Sequence, residues 1–451
     1  MTDDLTYSER LAAFALAFRL DTEPDAFGFF RTALIDTLGV MLCGSTEPPA
    51  VIVREMVMAE GARPQGSIVG TGARTSWQLA ALANGVAAHA MDYDFSFVIG
   101  QAAAPVLPAL LAIAESEAVD CAELAAAFVV GCETAARLAL AVPKISSGAG
   151  WQAAGTVGAV AATVAVARLL RLPAPVIRDA IGIAASSAAG LGVNYGTMTK
   201  PLHVGQAARN AVAAIALARR GFTAAHAALE GRAGFVALFA PPNPHAGEAL
   251  EGLGGGLEAL RRGLTLKLYP CGGRLHTAIE AALALRDSVL PDRIAAIRVS
   301  VTAPAAKRAL AAYPESIEAA KFSAGYVVAY ALTHGAPMLP AFTESAIADP
   351  AVRALAGRVA AEADATLGDG GKLNPARVAI ETVDGGTIEI LCREPSGSRE
   401  KPLSAEQMRV KFTTCASHAI GEAQAARLFT FLSALEPNSS LSELWPLLRP
   451  V

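Results

Sequence analysis

Residues 122–140, AELAAAFVVGCETAARLAL, decide the class of fold, and residues 152–170, QAAGTVGAVAATVAVARLL, repeat their texture. In both stretches, apolar side chains recur with the 3.6-residue period of a helix. Alanine and glycine at many of these positions allow helix axes to approach closely. Similar stretches fill the chain up to about residue 265, so the sequence predicts a dense helical bundle. Its other predicted helices are 8–20, 24–43, 77–89, 104–117, 175–187 and 205–219.

The texture changes after about residue 265. Residues 293–302, RIAAIRVSVT, are rich in β-branched side chains and alternate as a strand does. Two further strand patterns, 377–383 and 387–392, flank the turn Asp384-Gly385-Gly386 and predict a hairpin. We therefore predict a mostly α protein, with a large all-α helical-bundle domain and an inserted smaller α+β domain. The helical domain comprises 1–265 plus 404–451, the α+β domain comprises 266–403, and the remaining predicted helices are 319–330, 350–363 and 404–434.

Composition limits the class of partner. The chain has 451 residues, 53% of them hydrophobic and 17% charged, which excludes a disordered protein. The 37 basic and 41 acidic residues leave no strongly cationic surface, so we expect no nucleic-acid partner. The first ten residues, MTDDLTYSER, lack the pattern of a signal peptide, and we expect a cytoplasmic location.

Two uncharged runs, 145–167 and 180–199, are long enough to span a bilayer. Their many serine, glycine and other turn-forming residues favour helices buried in protein, so we expect no membrane partner. The six cysteines are scattered without metal-ligand spacing, and we interpret them as reduced, mostly buried thiols.

Polar residues embedded in apolar sequence mark candidate functional positions, because a buried charge costs several kcal/mol unless it is paired. The first such cluster is GVAAHAMDYD, residues 85–94. His89 and Asp92 are spaced to share one face at the end of a helix. The alternative is an ordinary helix C-terminus, with His89 bonded to carbonyl groups and Asp94 starting a loop.

The second cluster is GTMTKPLHVGQ, residues 196–206. Lys200 precedes Pro201, a residue that suits the first turn of a helix. The positive end of a helix disfavours the charged form of an ammonium beside it, so Lys200 is a candidate general base or carboxylate ligand. The alternative is a solvated surface lysine.

The third cluster is KLYPCGGRLH, residues 267–276, at the change of texture. Lys267, Arg274 and His276 form a candidate anion-binding set. Cys271 is interpreted as a packed thiol rather than a nucleophile. In a fourth cluster, Lys321-Phe322-Ser323, a structural role is as reasonable as a functional one.

Several sequence signatures are missing. The chain has no GxGxxG after a strand, no P-loop, no HExxH and no GxSxG. Its seven histidines show no metal-ligand spacing. The residues alone therefore predict a site without a metal or cofactor that takes an anionic small molecule.

These clusters resemble the MmgE/PrpD family, which includes 2-methylcitrate dehydratase, cis-aconitate decarboxylase and iminodisuccinate epimerase. The resemblance implies a helical domain with an inserted α+β domain, a homodimer, no cofactor, and chemistry next to a carboxylate of a di- or polycarboxylate. It assigns active-site roles to Asp92, Lys200, His203 and Lys267. The matching stretches are HAMDYD (89–94), APVLPALLAIAE (104–115), GWQAAGTVGA (150–159), GTMTKPLHVGQAA (196–208), GFTAAHAALEGRAGF (221–235), KLYPCGGRLHTAIEAA (267–282) and AKFS (320–323).

The chain departs from the family pattern at three places. Lyase members carry HPS where this chain has Gln101-Ala102-Ala103, and a histidine where it has Gln152. The family's Cys-Cys-Arg is Cys271-Gly272-Gly273 here. A glutamine accepts and donates hydrogen bonds but cannot transfer a proton near neutral pH. The two missing histidines therefore argue against expulsion of a leaving group.

We accordingly predict an epimerase of the iminodisuccinate type, which removes and returns an α-proton. Its catalytic residues are predicted to be Lys200, paired with Asp92, His89 or Tyr93. The predicted substrate-binding residues are Lys267, His203, Gln101, Gln152 and His276. A lyase resembling 2-methylcitrate dehydratase and a catalytically inactive binding protein are the alternatives.

Overall fold

The computed structural model describes residues 5–145, 150–239, 243, 246–307, 313–368 and 374–450. Residues 146–149, part of the first uncharged run, lie outside the described residues. The chain divides into two compact units. The first comprises Met1–Tyr195, Thr199–Leu264 and Ala405–Val451, and the second comprises Gly196–Met198 and Thr265–Ser404.

The helices and strands follow in chain order. The first twelve helices are α1 (Tyr7–Ala17), α2 (Ala26–Gly44), α3 (Pro48–Ala59), α4 (Trp77–Ala90), α5 (Val106–Ala114), α6 (Cys121–Ala141), α7 (Val157–Leu169), α8 (Ala174–Ser186), α9 (Thr199–Ala218), α10 (Phe235–Phe239), α11 (Glu248–Glu251) and α12 (Glu258–Arg262). The others are α13 (His276–Leu285), α14 (Ala303–Ala306), α15 (Ile317–Ala320), α16 (Ala324–His334), α17 (Glu344–Ile347), α18 (Pro350–Ala356), α19 (Ala405–Ile420), α20 (Glu422–Ser433) and α21 (Leu444–Leu447). The strands are β1 (Gly66–Ser67), β2 (Arg74–Thr75), β3 (Ile294–Val301), β4 (Val359–Ala363), β5 (Ala376–Thr382) and β6 (Thr387–Cys392).

The expectation of a mostly helical protein is confirmed. The sequence pattern missed α3, because Pro48-Pro49 suggests a turn. Both prolines lie at the first positions of the helix, where their missing N–H groups cost nothing. The single helix predicted over 404–434 is two helices, separated at Gly421, whose φ of 77° is a left-handed value.

Close backbone approach positions α4 against α9 in the first unit. A Cβ atom on Gly85 would lie 2.6 Å from Cα of Gly205, and one on Gly205 would lie 2.5 Å from the carbonyl oxygen of Leu82. Only glycine permits this contact. It matters for function because α4 and α9 carry most of the candidate site residues. Helix α2 packs against α4 on one side and against α19 on another.

The second unit is built on a four-stranded sheet in the order β4-β3-β5-β6. Strand β3 pairs antiparallel with β5, β5 pairs antiparallel with β6, and β4 joins β3 in parallel. The prediction of one helix over 350–363 is wrong in its second half. Val359–Ala363, the alanine-rich sequence VAAEA, is strand β4, and it is held by backbone pairing to Ile297–Val301. Tertiary pairing here overrides local propensity.

Two helices, α2 and α6, are long and apolar enough to cross a membrane. Most of each is buried inside the protein, as in the core helices of large helical domains. All six cysteines are free, and five of them are buried.

Candidate active site

The first unit brings together five of the predicted site residues. His89 lies in the last turn of α4, Lys200 and His203 lie in the first turns of α9, and Gln152 precedes α7. Asp92 follows α4 by two residues. The packing of α4 on α9 therefore converts sequence clusters that are about a hundred residues apart into one group of side chains.

An ion pair forms the centre of this group. Nζ of Lys200 lies 2.6 Å from Oδ1 of Asp92, and each side chain is only 5% exposed. The ring of Tyr195 lies 5.8 Å from the same ammonium. The interpretation of Lys200 as a solvated surface lysine is therefore wrong. A charge pair shielded from water interacts more strongly than a surface pair.

The backbone at Asp92 adopts a conformation that few residues tolerate. Its φ is +50°, in the left-handed region, and its N–H donates to the carbonyl oxygen of His89 at 3.1 Å. Aspartate and asparagine accept this region more readily than other side chains with a Cβ. The turn ends α4 and carries the Asp92 carboxylate toward Lys200.

Next to the ion pair, a row of hydrogen bonds joins Asp94, His89, Gln152 and His203. Nδ1 of His89 lies 2.9 Å from Oδ1 of Asp94, and its Nε2 lies 3.3 Å from Nε2 of Gln152. Oε1 of Gln152 lies 2.5 Å from Nδ1 of His203. The ring of His89 thus bonds to side chains, which excludes the alternative in which it bonds to helix carbonyls. Sequence reasoning assigned Asp94 only to a loop and missed its contact with His89.

Both histidines are held in the neutral form. Burial lowers the pKa of His89 below its ordinary value, and the partly opposing charge of Asp94 does not reverse the shift. Burial also lowers the pKa of His203, helped by His89 and the Lys200 ammonium. Neutral imidazoles beside an ammonium–carboxylate pair give the site groups that can both donate and accept protons.

A second buried ion pair supports the turn after α4. Nζ of Lys411, on α19, lies 2.5 Å from Oδ1 of Asp36 on α2 and 3.0 Å from the carbonyl oxygen of Tyr93. Oδ2 of Asp36 accepts a hydrogen bond of 3.0 Å from the N–H of Phe95. Burial raises the pKa of Asp36, although Lys411 opposes the shift. Sequence reasoning missed this pair, and the only signal was one carboxylate within the apolar stretch of α2.

Two further predicted residues, Tyr93 and Gln101, have other contacts. The ring of Tyr93 packs under Lys411, whose Nζ is 4.2 Å from the ring centre, and its predicted catalytic role stays a prediction. Gln101 is half-buried, and its backbone bridges to Phe97. No hydrogen bond joins its side chain to Gln152 or His89 in the part of the chain that the structure describes.

Lys267 and His276 belong to the second unit and are almost fully buried there. The ring of His276 contacts Tyr269 edge-on, with centroids 5.1 Å apart. Nη1 of Arg274 donates to Oδ1 of Asn374 at 3.1 Å. Their predicted roles in substrate binding stay predictions. Cys271 is buried.

Residues of the fourth cluster shape the start of α16. Oγ of Ser323 accepts a hydrogen bond from the N–H of Tyr326, and the carbonyl oxygen of Lys321 accepts one from Gly272. These contacts support the structural interpretation of this cluster.

One set of side chains has the composition of a metal site. His89, Asp92 and Asp94 place possible ligand atoms within 4.8 Å of one another. However, Lys200 already neutralises Asp92, and Asp94 already contacts His89. A cation would have to compete with the Lys200 ammonium, so these residues fit an internal acid–base group better than a metal centre.

Comparison with protein families identifies the class of protein. The MmgE/PrpD N-terminal domain matches residues 9–247, and the MmgE/PrpD C-terminal domain matches residues 269–436. The chain belongs to the MmgE/PrpD family. The resemblance seen in the sequence motifs is thus confirmed.

Relatives in other organisms are similar to this chain over most of their length. Cis-aconitate decarboxylase from Homo sapiens is 27% identical over 436 residues, which cover 93% of this chain and 89% of that protein. The cis-aconitate decarboxylase-like protein oryM of Aspergillus oryzae is 28% identical, covering 95% and 94%. Cis-aconitate decarboxylase from Aspergillus terreus is 29% identical, covering 85% and 83%. The relatives from Homo sapiens and Aspergillus terreus are named as enzymes, and the names describe a lyase rather than an epimerase.

Proposed function

We propose that the protein is a cofactor-independent lyase that acts on a small polycarboxylate of the cis-aconitate type. The proposal replaces epimerisation as the leading interpretation. The similarity to cis-aconitate decarboxylases extends over at least 85% of this chain in the three relatives named above, which supports a related reaction class.

The observation that carries the proposal is the buried pair of Lys200 and Asp92. Loss of CO2 from an unsaturated tricarboxylate breaks one carbon–carbon bond, shifts the double bond and adds one proton to carbon. The Lys200 ammonium, held by Asp92 at 2.6 Å, is a proton donor inside a site that excludes water. After the transfer, the Lys200 amine regains its proton from solvent, and the tricarboxylate has become a dicarboxylate and CO2.

The turn carrying Asp92 adds preorganisation to this acid. Its left-handed backbone and the Lys411–Asp36 pair behind it fix the carboxylate before substrate binds. A preorganised charge near the reacting atoms lowers the barrier without reorganisation during the reaction. Lys267 and His276 are proposed to bind substrate carboxylates.

A second function, epimerisation next to a carboxylate, is favoured by one observation. The side chain of Gln152 forms hydrogen bonds with both His89 and His203. In the family pattern described above, lyase members carry a histidine at this position. Its amide cannot protonate a leaving group. An epimerase needs only removal and return of one proton, which Lys200 and a histidine could perform.

Incubation with cis-aconitate, 2-methylcitrate and iminodisuccinate in deuterium oxide, followed by 1H NMR, tests the proposal. A lyase converts cis-aconitate or 2-methylcitrate to a new product. An epimerase instead exchanges the α-hydrogen of iminodisuccinate for deuterium without forming a chemically different compound. Absence of any product from the first two substrates would overturn the lyase proposal. Dialysis against a chelator should leave the lyase rate unchanged.

A further inference from the structure

In the row of hydrogen bonds from Asp94 through His89 and Gln152 to His203, each donor and each acceptor can be assigned. Asp94 is a carboxylate and can only accept, so its contact of 2.9 Å requires a hydrogen on Nδ1 of His89. His89 is neutral and wholly buried, so its Nε2 carries a lone pair. That lone pair requires the NH2 group of Gln152 as its donor, in agreement with the contact of 3.3 Å between the two Nε2 atoms.

The orientation of the Gln152 amide then decides the state of His203. With its NH2 group donating to His89, its Oε1 must accept the hydrogen bond from Nδ1 of His203. Nδ1 of His203 therefore carries the hydrogen, and Nε2 carries the lone pair. The Asp94 carboxylate therefore sets the tautomer of His203 through the hydrogen bonds of His89 and Gln152.

Nε2 of His203 is placed for chemistry. Among the described residues it has no hydrogen-bond partner, and His203 keeps 6% of its surface exposed. His203 follows Lys200 by three residues on α9, so the two side chains share one helix face. A lone pair facing a substrate carboxylate would repel it, which disagrees with the sequence-based role of His203 as a carboxylate ligand.

We propose that Nε2 of His203 is a general base, with Asp94, His89 and Gln152 as positioning residues. The proposal deepens the proposed function, on which it rests, by adding a base to the acid at the same site. Decarboxylation of an unsaturated acid needs only an acid, whereas a base beside the acid also allows removal of an α-proton from a saturated polycarboxylate.

On a polycarboxylate with a β-hydroxyl group, elimination of water balances with these two groups. Nε2 of His203 takes a proton from the carbon next to a carboxylate, and the C–H electron pair enters the enediolate of that carboxylate. The enediolate then forms the carbon–carbon double bond and expels the β-hydroxyl group. The hydroxyl takes the proton of the Lys200 ammonium and leaves as water. Solvent returns the proton of His203 to Lys200.

The first test measures the tautomer and needs no substrate. In protein with 15N-labelled histidine, NMR distinguishes a protonated from an unprotonated ring nitrogen, and the seven histidines are assignable by single substitution. At pH 7 we expect Nε2 of His203 to be unprotonated and Nδ1 protonated. The reverse tautomer, or a protonated ring, would overturn the proposal.

The second test isolates the base from the leaving group. Tricarballylate is a saturated tricarboxylate without a hydroxyl group, so it can exchange α-protons with deuterium oxide but cannot be dehydrated. Wild-type protein should exchange them. His203→Asn keeps an N–H donor for Gln152 but has no basic nitrogen, and it should lower the exchange rate by about 10²–10⁴-fold. Calorimetry with tricarballylate and thermal unfolding should show binding and folding retained.

The outcomes are separable from those for the proposed function. The assignment of His203 as the general base would be overturned if His203→Asn exchanged protons at the wild-type rate, or if the wild type did not exchange them. If wild-type exchange is lost in His203→Asn while no lyase product forms from any substrate, the base stands and the lyase proposal fails. His203→Gln, which places an amide near the position of Nε2, should be as inactive as His203→Asn.

Discussion

Nζ of Lys200 lies 2.6 Å from Oδ1 of Asp92, and this pair joins the first turn of α9 to the turn that ends α4. The side chains of Lys200 and Asp92 are both almost fully buried. Removing one partner would leave the other charge buried, so the pair has a structural and a chemical role that substitutions can separate.

Lys200→Arg and Lys200→Met separate these two roles. Arginine keeps the positive charge for Asp92 but does not release a proton in proteins, so activity should fall by about 10²-fold or more with little change in stability. Methionine leaves Asp92 uncompensated and should lower the free energy of unfolding by about 3–5 kcal/mol. Denaturant unfolding and kcat measurements check both. Full activity in Lys200→Arg would contradict the assignment of Lys200 as the acid.

The pH dependence of proton exchange should report the state of His203. Burial, His89 and Lys200 lower the pKa of His203 below its ordinary value of 6.5. Exchange that needs the neutral ring is therefore complete at higher pH, persists as the pH falls through 6.5, and is lost only as it falls through the lowered value. His89 on α4 and Lys200 on α9 are the titratable groups acting on this ring.

Gln152→Glu should move that loss to higher pH. A carboxylate beside Nδ1 of His203 favours the protonated ring and raises its pKa. Glutamate also cannot donate to Nε2 of His89, so the tautomer order is lost. Gln152→Leu, which removes the amide without adding charge, is the matched control and should show no such upward shift. Superimposable pH profiles for wild type and Gln152→Glu would argue against the row of hydrogen bonds.

The pair of Lys411 and Asp36 should couple stability to activity. Lys411→Met leaves the Asp36 carboxylate buried without a cation and should cost about 3–5 kcal/mol of stability. It should also lower kcat, because Lys411 holds the carbonyl oxygen of Tyr93 next to Asp92. The double variant Asp36→Leu with Lys411→Met should recover much of the stability, and a double-mutant cycle measures this coupling.

A control for that cycle is the exposed pair of Arg19 and Asp21. Arg19→Met should leave the unfolding temperature and kcat unchanged, since surface pairs contribute little. An equal loss in Lys411→Met and Arg19→Met would mean that burial does not set the strength of the Lys411 pair.

Gly205→Ala should disturb the site through the packing of α4 on α9. The added Cβ would lie 2.5 Å from the carbonyl oxygen of Leu82, so the helices must separate and His89 moves away from His203. Stability and activity should both fall. At Gly28, an exposed position in α2 with nothing within 4 Å of a Cβ, alanine should instead stabilise by about 0.5–1 kcal/mol. Thermal unfolding of the two variants decides the comparison.

The sequence pointed to the buried polar cluster because its residues interrupt apolar helices. His89, Asp92 and Lys200 were identifiable because a charge in such a stretch needs a partner, and each has one. Lys411 carries no such signal, since its helix is amphipathic and its partner Asp36 is 375 residues away. Only the tertiary structure shows that these two hold the turn after α4.

Which group donates and which accepts in the row of hydrogen bonds also cannot be predicted from the sequence. His203 was predicted to hold a substrate carboxylate, and the proposal that it is a base depends on the orientation of the Gln152 amide, which no sequence pattern gives. In the same way, β4 contains the alanine-rich VAAEA, whose local preference is helical, and only pairing with β3 makes it a strand.

The most direct test of the central claim, that the Lys200 ammonium protonates carbon as CO2 leaves, is deuterium incorporation from deuterium oxide into the product of cis-aconitate. Wild-type protein and Lys200→Arg are compared by 1H NMR with cis-aconitate under identical conditions. We expect the wild type to form a dicarboxylate that carries one carbon-bound deuterium, and Lys200→Arg to form none. Incorporation by Lys200→Arg at the wild-type rate, or none by the wild type, would contradict the claim.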